Sequence, residues 1–194
     1  KEVLISSGSI ERPLVFGNND TPGVMLSSAA KEYLKVYGVL VGKKPLIFTN
    51  NDSGYETAIE FKKNGVDPII LDTRKEPKSE IIDEAKKLDI QIKFSYVVVA
   101  AKGYKKVKSA EVAKISDDKN ELGTLEIIDC DCICVSGFWT PTIHLASQSG
   151  NKTTFNKDID AFVPGLSKQN ETTLGAASGT YTLDETLKSS FDSG

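Results

Sequence analysis

The stretch from residue 45 to residue 72 constrains the fold of this chain more than any other feature. The apolar strand "PLIFT" leads into the polar loop "NNDSG", an amphipathic helix follows over residues 54–64, and the strand "PIILD" comes next. Two strands that flank a helix in this way are typical of a βαβ unit. The stretch therefore predicts a parallel sheet with helices packed against it.

The loop of this βαβ unit has the outline of a dinucleotide-binding turn but lacks two of its three glycines. The glycine positions of the pattern GxGxxG fall on Thr49, Asn51 and Gly54, so that only the last is glycine. Gly54 is the position that allows helix and strand to pack closely. Asn51 would place a side chain where phosphate approaches, and Asp52 adds a negative charge beside the helix N-terminus. Both changes oppose phosphate binding.

The residues around this loop also have interpretations that need no ligand. Ser53 and Glu56 form the S-x-x-E pattern of a capping box, which would satisfy the free amides of the helix internally. Asp72 stands where an acid would bind a ribose hydroxyl, and Arg74 would suit a 2′-phosphate. Because the glycines are missing, we expect a ligand-free helix start at Ser53 and a solvated strand end at Asp72.

The other segments extend the α/β pattern on both sides of this unit. The sequence predicts a strand at 2–7, a helix over 27–38 that begins with serine and ends at Gly38, and a helix over 79–89 capped by Ser79. Residues 90–137 contain several β-rich runs separated by "KGYKK" and "SDDKNELG", which favours an antiparallel β-meander that includes "CDCICVSG". The tail is polar and loop-like from residue 150 until "TTLGAASGTYTLDETLKSS", which predicts a strand, a turn and a helix.

Composition excludes several classes of partner. With 24 Lys+Arg against 27 Asp+Glu the formal net charge is -3, and no long basic run is present. Nucleic acid and anionic membrane surfaces are therefore not expected to bind. No apolar run approaches the roughly 20 residues that span a bilayer, and the first residues are not a signal peptide, so a cytoplasmic protein is expected. The absence of an initiator Met suggests a piece of a longer protein, in which a shared site would be only half visible.

The cysteines and the single histidine invite a metal or catalytic interpretation. Cys130, Cys132 and Cys134 have the spacing i, i+2, i+4, which on a strand places all three on one face. Zinc pairs are usually C-x2–4-C on turns, and His144 is the only further candidate ligand of these two types. We therefore expect three reduced, metal-free and mostly buried cysteines. His144 is expected to be a packing or interface residue, and no catalytic residue is assigned.

The turn "LGAASGTYTLDE" near the C-terminus is a better candidate for a dinucleotide contact than residues 49–54. Its small residues would allow the backbone to approach a ligand, and a helix follows directly. Thr182 and Glu185 form a second capping-box pattern at the start of that helix.

Four blocks together carry a resemblance to a known family. In order, "LISSGSIERPLVFGNNDTPGVML", "LIFTNNDSGYETA", "CVSGFWTPTIHLASQSG" and "LGAASGTYTLDE" resemble the alpha subunit of heterotetrameric sarcosine oxidase, and more loosely the pyridine-nucleotide-disulfide oxidoreductases. The blocks "TNNDS" and "HLASQSG" resemble the sarcosine oxidase branch specifically, whereas "SSGSIERP" replaces the A-T-G-x-x-P of the broader family. The resemblance covers nearly the whole chain.

The resemblance implies two nested Rossmann-like domains, the second inserted into the first. Residues 20–145 would be a degenerate NAD(P)-binding-like domain, and segments 1–19 and 146–194 would belong to or border the adjacent FAD/NAD-binding domain. NAD would be held mostly by an upstream glycine fingerprint outside this chain. The family's contacts fall here on Ser7, Gly8, Ala176, Gly179, Tyr181 and Leu183.

The chemistry implied by the resemblance lies elsewhere in the complex. The family oxidises sarcosine through FAD in a beta subunit and FMN at the alpha–beta interface, forms hydrogen peroxide, and passes the one-carbon unit to tetrahydrofolate in another part of alpha. Beta, gamma and delta subunits are the implied partners. None of the catalytic groups can be assigned to this chain, and the isolated chain is expected to be inactive.

Three alternatives stay open at this point. The chain could be a small NAD(P)H-dependent oxidoreductase in which Asp72 and Arg74 choose the cofactor, although Asn51 and Asp52 disfavour it. It could come from the alpha subunit of a related proline-type amine dehydrogenase. It could also be an interaction module that docks a partner through Trp139, the only tryptophan.

Overall fold

The computed structural model describes residues 2–116 and 121–193. Residues 117–120, part of the predicted turn "SDDKNELG", lie outside this description. The helices are α1 (Ser27–Tyr37), α2 (Ser53–Lys63), α3 (Glu80–Lys87), α4 (His144–Gln148) and α5 (Leu183–Ser193), and a 3₁₀ segment covers Gly175–Ser178. The strands are β1 (Val3–Ile5), β2 (Ser9–Glu11), β3 (Val24–Leu26), β4 (Pro45–Thr49), β5 (Ile69–Asp72), β6 (Gln91–Phe94), β7 (Tyr96–Lys102), β8 (Ser109–Lys114), β9 (Glu126–Asp129), β10 (Cys132–Ser136), β11 (Trp139–Pro141), β12 (Thr153–Asn156), β13 (Ala161–Pro164) and β14 (Glu171–Thr173).

The chain divides into two compact units. Unit 1 is built from both ends of the chain, Lys1–Glu11 and Trp139–Gly194, and unit 2 is the continuous segment Arg12–Phe138. The resemblance implies an inserted domain at 20–145, and unit 2 both begins and ends a few residues earlier in the chain than that.

Unit 2 contains a five-stranded parallel sheet in the order β3-β10-β4-β5-β6. Every residue of β4 and of β10 is buried, as expected for central strands of a parallel sheet that is covered on both faces. One face packs against the three helices, with Ile47 and Ile70 of the sheet in the same cluster as Ala30, Phe61 and Ile82. Strands and helices thus form two layers on this side.

The opposite face of the sheet packs against the antiparallel strands β7, β8 and β9. Here Phe48 and Leu71 of the sheet cluster with Val98, Ala110 and Val112 of the meander. Unit 2 is therefore a layered α/β structure with an added antiparallel meander, and the fold class predicted from the sequence is confirmed.

Several predicted details of unit 2 are wrong. Strands β6 and β10 belong to the parallel sheet and not to the meander, and β10 lies between β3 and β4. The short strand β3 is not predicted at all, because three residues after Gly23 carry too little periodicity to be recognised. Ser79 precedes α3 as expected, but its hydroxyl makes no capping hydrogen bond.

The three cysteines do not share one face. Cys132 and Cys134 lie in the cluster on the helix side of the sheet, whereas Cys130 lies in the cluster on the meander side. The chain bends at Asp131, whose carboxylate accepts hydrogen bonds from the amides of Lys43 and Lys44, both at 2.8 Å. The strand therefore begins only at Cys132. Burial of all three thiols is confirmed.

Unit 1 consists of small pairs of strands followed by a helix. Strand β1 pairs with β14 in parallel, β2 pairs with β11 in antiparallel, and β12 and β13 form a hairpin. The tail predicted to be loop-like from residue 150 therefore contains a hairpin. Its strands do not show a clear alternation of apolar and polar residues in the sequence, because positions such as Thr153 and Asn156 are polar. The final strand, turn and helix are present as predicted.

Candidate functional site

The carboxyl edge of the parallel sheet in unit 2 is the place where an α/β domain of this kind binds its ligand. Thr49, Asp72 and Ser136 end the three central strands β4, β5 and β10 at this edge, and each is completely buried. Buried polar side chains must be hydrogen-bonded, so their partners show what occupies the edge.

Asn51 fills the part of the edge where a pyrophosphate would approach. Its side chain is 5% exposed, and its amide nitrogen donates to the Ser136 carbonyl at 3.1 Å and to Asn50 Oδ1 at 2.9 Å. Its amide oxygen accepts from the Ser53 backbone amide at 2.9 Å and from the Ser53 hydroxyl. The Asn51 side chain therefore takes an amide at the start of α2 that an anion would otherwise use.

The capping box predicted from Ser53 and Glu56 is not formed. Helix α2 does begin at Ser53, but Asp52 is the N-cap residue and makes no side-chain cap. Glu56 instead forms an ion pair with Lys31 at 2.5 Å. The Asn51 side chain accepts the hydrogen bond of the first helical amide, that of Ser53, and so takes over the role that the capping box would have had.

Gly54 confirms the expected close packing of helix and strand. A Cβ atom at Gly54 would lie 2.7 Å from the Cβ of Thr49, a separation that real Cβ atoms do not adopt. The Thr49 hydroxyl in turn donates to the Asn51 carbonyl at 2.8 Å, which holds the loop against the strand.

Asp72 is not the solvated strand end expected from the sequence, because it is completely buried and fully paired. Tyr55 Oη donates to its Oδ2 at 2.7 Å, and Arg74 Nη2 reaches the same oxygen at 2.8 Å. The Arg74 backbone amide donates to Oδ1 at 2.9 Å, and Arg74 Nη1 also contacts Asp52 Oδ1 at 2.8 Å. The acid proposed for a ribose thus binds this protein's own tyrosine and arginine.

The electrostatics of this cluster follow from burial and from charge. Burial raises the pKa of Tyr55, and its hydrogen bond to Asp72 raises that pKa further. Burial acts to lower the pKa of Arg74, but the hydrogen bonds and charges of Asp72 and Asp52 outweigh it and raise that pKa. The tyrosine stays neutral and the arginine stays charged. Neither Tyr55 nor Ser136 is singled out by the sequence, since Tyr55 lies in an ordinary amphipathic helix and Ser136 ends an apolar strand.

A second carboxyl edge is formed in unit 1 by the parallel strands β1 and β14. The register pairs Val3 with Glu171 and Ile5 with Thr173, and the Leu174 amide donates to the Ile5 carbonyl at 2.9 Å. Because parallel strands end at the same edge, the segment after β1 and the segment after β14 emerge side by side. The six residues predicted to contact NAD lie in these two segments.

After β1, Ser7 and Gly8 are tied to the chain that follows β11. Ser7 Oγ donates to the Thr142 carbonyl at 2.6 Å, and the Thr142 amide donates to the Gly8 carbonyl at 2.9 Å. Gly8 has φ +71°, and a Cβ atom there would meet nothing within 4 Å. Gly8 therefore leaves open space beside the carboxyl edge of unit 1.

After β14, the 3₁₀ segment and its flanking residues form a compact turn. Gly179 has φ +87°, and a Cβ atom there would lie 2.9 Å from Val163 Cγ1 of the hairpin. A bulky residue at Gly179 would thus disturb β13. Tyr181 Oη donates to the Trp139 carbonyl at 2.9 Å, so its hydroxyl is engaged within unit 1.

The remaining predicted residues lie on the outer part of this turn. Ala176 is half-buried, and Leu183, the first residue of α5, is 72% exposed. The Thr182 hydroxyl donates to the Glu185 carboxylate at 2.6 Å, which is a bond between the two side chains and not the side chain-to-amide bonding of a capping box.

The histidine, cysteine and acidic residues outside these two edges form no further site in the part of the chain that the structure describes. His144 is exposed at the start of the short helix α4. Within residues 2–116 and 121–193, no group of three or more such side chains is arranged to hold a metal ion.

Comparison with known proteins identifies the relatives of this chain. No protein-family model matches it. Sarcosine oxidase subunit alpha of Rhizobium meliloti (strain 1021) is 37% identical over 187 residues, which are 92% of this chain and 17% of the relative. The same subunit of Corynebacterium sp. (strain P-1) is 32% identical over 93% of this chain and 19% of the relative. The chain is a homologue of part of the sarcosine oxidase alpha subunit. It spans less than a fifth of the length of these two alpha subunits.

Solved structures share the fold at low sequence identity. Thioredoxin reductase of T. acidophilum matches 96% of this chain and 60% of its own, with TM-score 0.74 and 17% identity. L-proline dehydrogenase of P. horikoshii matches 91% of this chain and 30% of its own, with TM-score 0.59 and 21% identity. These likenesses support the Rossmann-like architecture described above for this chain. Among the described helices, none combines the length and the apolar character that crossing a membrane requires.

Proposed function

We propose that this chain is part of the alpha subunit of a sarcosine oxidase complex, in which unit 2 is a noncatalytic scaffold and unit 1 helps to hold NAD. The complex would oxidise sarcosine to glycine with formation of hydrogen peroxide and transfer of the one-carbon unit to tetrahydrofolate. FAD, FMN and tetrahydrofolate would bind outside this chain, and beta, gamma and delta subunits would be the partners. The proposal rests on one observation, that in a homologue of this subunit the ligand edge of unit 2 is filled by its own side chains.

A dinucleotide in unit 2 would have to displace contacts that are costly to break. Moving Asn51 would leave the Ser53 backbone amide without its partner, at about 1–3 kcal/mol. Moving Arg74 would leave the buried Asp72 carboxylate without its countercharge, at about 3–5 kcal/mol. A nucleotide would need to offset these costs before gaining affinity. The same contacts disfavour a small NAD(P)H-dependent oxidoreductase in which Asp72 or Arg74 binds the ribose.

In unit 1, by contrast, the carboxyl edge is not filled by the protein's own side chains at Gly8. Its carboxyl edge brings together the segments that begin at Ser7 and at Gly175, and the space beside Gly8 is open. Ser7, Gly8, Ala176, Gly179, Tyr181 and Leu183 would contribute NAD contacts, mainly through the backbone. The rest of the cleft would come from a part of the alpha subunit outside this chain.

Helix α5 supports an extended domain around unit 1. Leu183, Leu187 and Phe191 recur every four residues along it and are 72%, 60% and 87% exposed. Residues at this spacing form one stripe on a helix, and such a stripe is normally buried. We propose that the segments 1–19 and 146–194 belong to or border the adjacent FAD/NAD-binding domain, against which this stripe would pack.

The NAD contact can be tested at Gly8 with a matched control at Gly38. Both glycines have a positive φ, +71° and +64°, and at both a Cβ atom would meet nothing within 4 Å. In the full-length alpha subunit, Gly8→Leu should lower the NAD released on denaturation at least several-fold, because the side chain would occupy the open edge. Gly38→Leu, at the end of α1, carries the same backbone strain and should keep its NAD. Equal NAD content in the two variants would show that unit 1 does not contribute to the cofactor site at Gly8.

The scaffold role of unit 2 is tested by titration calorimetry on this chain. We expect no heat of binding with NADH or NADPH at concentrations up to about 1 mM, which corresponds to about 4 kcal/mol of affinity. Tight binding that is lost in Asp72→Ala would instead assign a working nucleotide site to unit 2.

A further inference from the structure

Strands β7 and β8 are joined by a short loop, residues 103–108, which we call the lysine loop. It is closed at its base by a hydrogen bond from the Lys108 amide to the Lys102 carbonyl at 2.8 Å. Gly103 has φ +152°, and a Cβ atom there would lie 1.9 Å from the Lys106 carbonyl oxygen, so only glycine fits. The loop therefore has one defined backbone path.

The loop is also anchored to the body of unit 2. Val107 is 1% exposed and packs in the core between the sheet and the meander. The Val107 amide donates to the Pro22 carbonyl at 2.9 Å, and the Cys130 amide donates to the Lys108 carbonyl at 3.2 Å. Because the base is fixed, the side chains at the tip are presented by a rigid support.

The tip carries an aromatic ring between positive charges. Tyr104 is 91% exposed, and Lys105, Lys106 and Lys108 are exposed beside it. In the part of the chain that the structure describes, none of these three lysines forms an ion pair.

The acidic groups near the loop do not cancel this charge. Lys102, at its base, pairs with Glu111 at 3.1 Å. Two further carboxylates near the loop are exposed: Asp20, on the neighbouring loop whose Pro22 carbonyl holds Val107, and Asp129 of β9, which pairs with Ser109. The Asp131 carboxylate accepts hydrogen bonds from the backbone amides of Lys43 and Lys44. The tip therefore keeps a net positive charge on a chain whose formal net charge is -3.

We infer that the lysine loop is a docking surface for an acidic patch on another subunit of the complex. The inference rests on the proposed function only in that this chain works beside other subunits. Tyrosine is enriched in the energetically important parts of protein interfaces, and a preformed loop loses little conformational entropy on binding. Opposite charge on the partner fixes the orientation and speeds association.

An acidic protein surface fits the loop better than nucleic acid does. Nucleic-acid sites spread basic residues along a whole face or helix, with strong positive charge on the domain. Here three exposed lysines are grouped on one short loop, and the chain as a whole is acidic. A partner with a few carboxylates around a shallow apolar spot for Tyr104 would match the tip in both charge and shape.

The test uses the full-length alpha subunit assembled with its cognate subunits. The loop variant carries Lys105→Glu, Lys106→Glu and Lys108→Glu, and the control variant carries Lys43→Glu, Lys78→Glu and Lys87→Glu. The control changes the same total charge at exposed lysines elsewhere on unit 2. The dissociation constant between alpha and its partners is measured by mass photometry at several salt concentrations.

We expect the loop variant to weaken assembly at least ten-fold at low salt and to lose most of the salt dependence, while the control changes it by less than three-fold. Tyr104→Ala should weaken assembly with its salt dependence kept, because no charge is removed. Equal effects of the loop and control variants, or no effect of either, would overturn the inference while leaving the proposed function intact. Failure of any version to assemble with sarcosine oxidase subunits would overturn both.

The nucleic-acid alternative is decided with the same variants. If single-stranded RNA bound the wild-type complex and not the loop variant, while subunit assembly was unchanged, the loop would be assigned to RNA and the docking inference would be wrong.

Discussion

At the scale of single residues, Asn51 explains how a glycine position of a nucleotide turn can be lost without loss of the turn. A side-chain amide has both donors and an acceptor. In Asn51 the donors reach Ser136 and Asn50, and the acceptor receives Ser53. The side chain therefore satisfies both the strand end and the helix start, which a bound phosphate could do only for the helix.

Two substitutions separate the contributions of Tyr55 and Arg74 to the cluster around the buried Asp72 carboxylate, and we expect them to lower stability by different amounts. Tyr55→Phe removes one neutral donor to the Asp72 carboxylate, and we expect a loss of about 2 kcal/mol in the free energy of unfolding. Arg74→Met leaves a completely buried carboxylate without its countercharge, and we expect a loss of about 4 kcal/mol. Urea unfolding of both variants, with the exposed Lys87→Met as control, measures the difference. Equal costs would show that the tyrosine carries as much of the cluster as the arginine does.

The buried thiol of Cys130 predicts how stability depends on alkaline pH. The pKa of this thiol is raised from 9.0 to about 12, first by burial and then by the neighbouring Cys132 thiol and the charges of Asp131 and Asp129. A raised pKa in the folded state gives stability that is complete below about pH 9 and is lost as the pH rises toward 12. Cys130 should therefore reduce the free energy of unfolding by about 1.4 kcal/mol between pH 8 and pH 10.

Comparison with Cys130→Ala isolates this contribution from the other groups that titrate in the same range. The variant should lose about 1.4 kcal/mol less than wild type between these two pH values in urea unfolding. The same pH dependence in both proteins would show that the thiol is accessible to water.

At the scale of elements, helix α2 and strand β4 pack closely at the contact between Gly54 and Thr49. Gly54→Ala would place a Cβ atom 2.7 Å from Thr49 Cβ, so helix and strand must separate, at a cost of about 1–3 kcal/mol. Thr49→Gly creates the missing space but removes a hydroxyl that bonds the loop.

The double variant Thr49→Gly with Gly54→Ala should therefore cost less than the sum of the two single variants. Chemical denaturation of the four proteins gives the coupling free energy, which should be about 1 kcal/mol or more. If the free-energy changes of the two single variants add up to that of the double variant, the two positions are not coupled sterically.

The elements that the sequence predicts are those whose pattern is complete within one segment. Helix α1 has its apolar positions and its closing Gly38, and β4 and β5 are continuous apolar runs beside a helix. Strand β10 has the same kind of apolar run, but its neighbours in the sheet are β3 and β4, far away in the chain. Sequence proximity to the meander therefore gave the wrong partner, since an apolar run does not specify what it pairs with.

The candidate site is predictable to a similar degree. The missing glycines at Thr49 and Asn51 are visible in the sequence and correctly indicate an altered turn. The Ser53–Glu56 box is wrong because the pattern is short and Asn51 competes for the same amide. The burial of Asp72 depends on Tyr55, a residue on another element whose position only the fold reveals.

At the scale of the whole molecule, the two units differ in how much apolar surface they bury. Unit 2 contains both large core clusters. In unit 1 the buried apolar residues that the structure describes are few, namely Ile5, Ala146, Ala161, Leu174 and Ala177. Its exposed apolar side chains include Phe155, Phe162 and the stripe of α5. Local stability follows buried apolar contact, so the two units should differ in stability.

Hydrogen exchange measured by mass spectrometry on this chain tests that difference. Amides of β4 and β10 should exchange slowest, and those of β14 and α5 should exchange at least a hundred-fold faster, because little surface is buried around them. In the full-length subunit the exchange of α5 should slow while that of β10 stays the same. Uniform protection across both units in the isolated chain would contradict the proposed packing of α5.

The division of unit 1 between the two ends of the chain has a consequence for protein synthesis. Glu2 and Thr172, which are hydrogen-bonded beside the β1–β14 pair, lie 170 residues apart. At about 5–20 residues per second, the ribosome needs roughly 10 to 30 seconds to deliver the partner of β1 after β1 itself is made. Unit 2 is completed in that interval, while β1 waits with an unpaired edge. A strand of only three residues offers a poor template to other nascent chains. The shortness of β1 thus protects the growing polypeptide during translation.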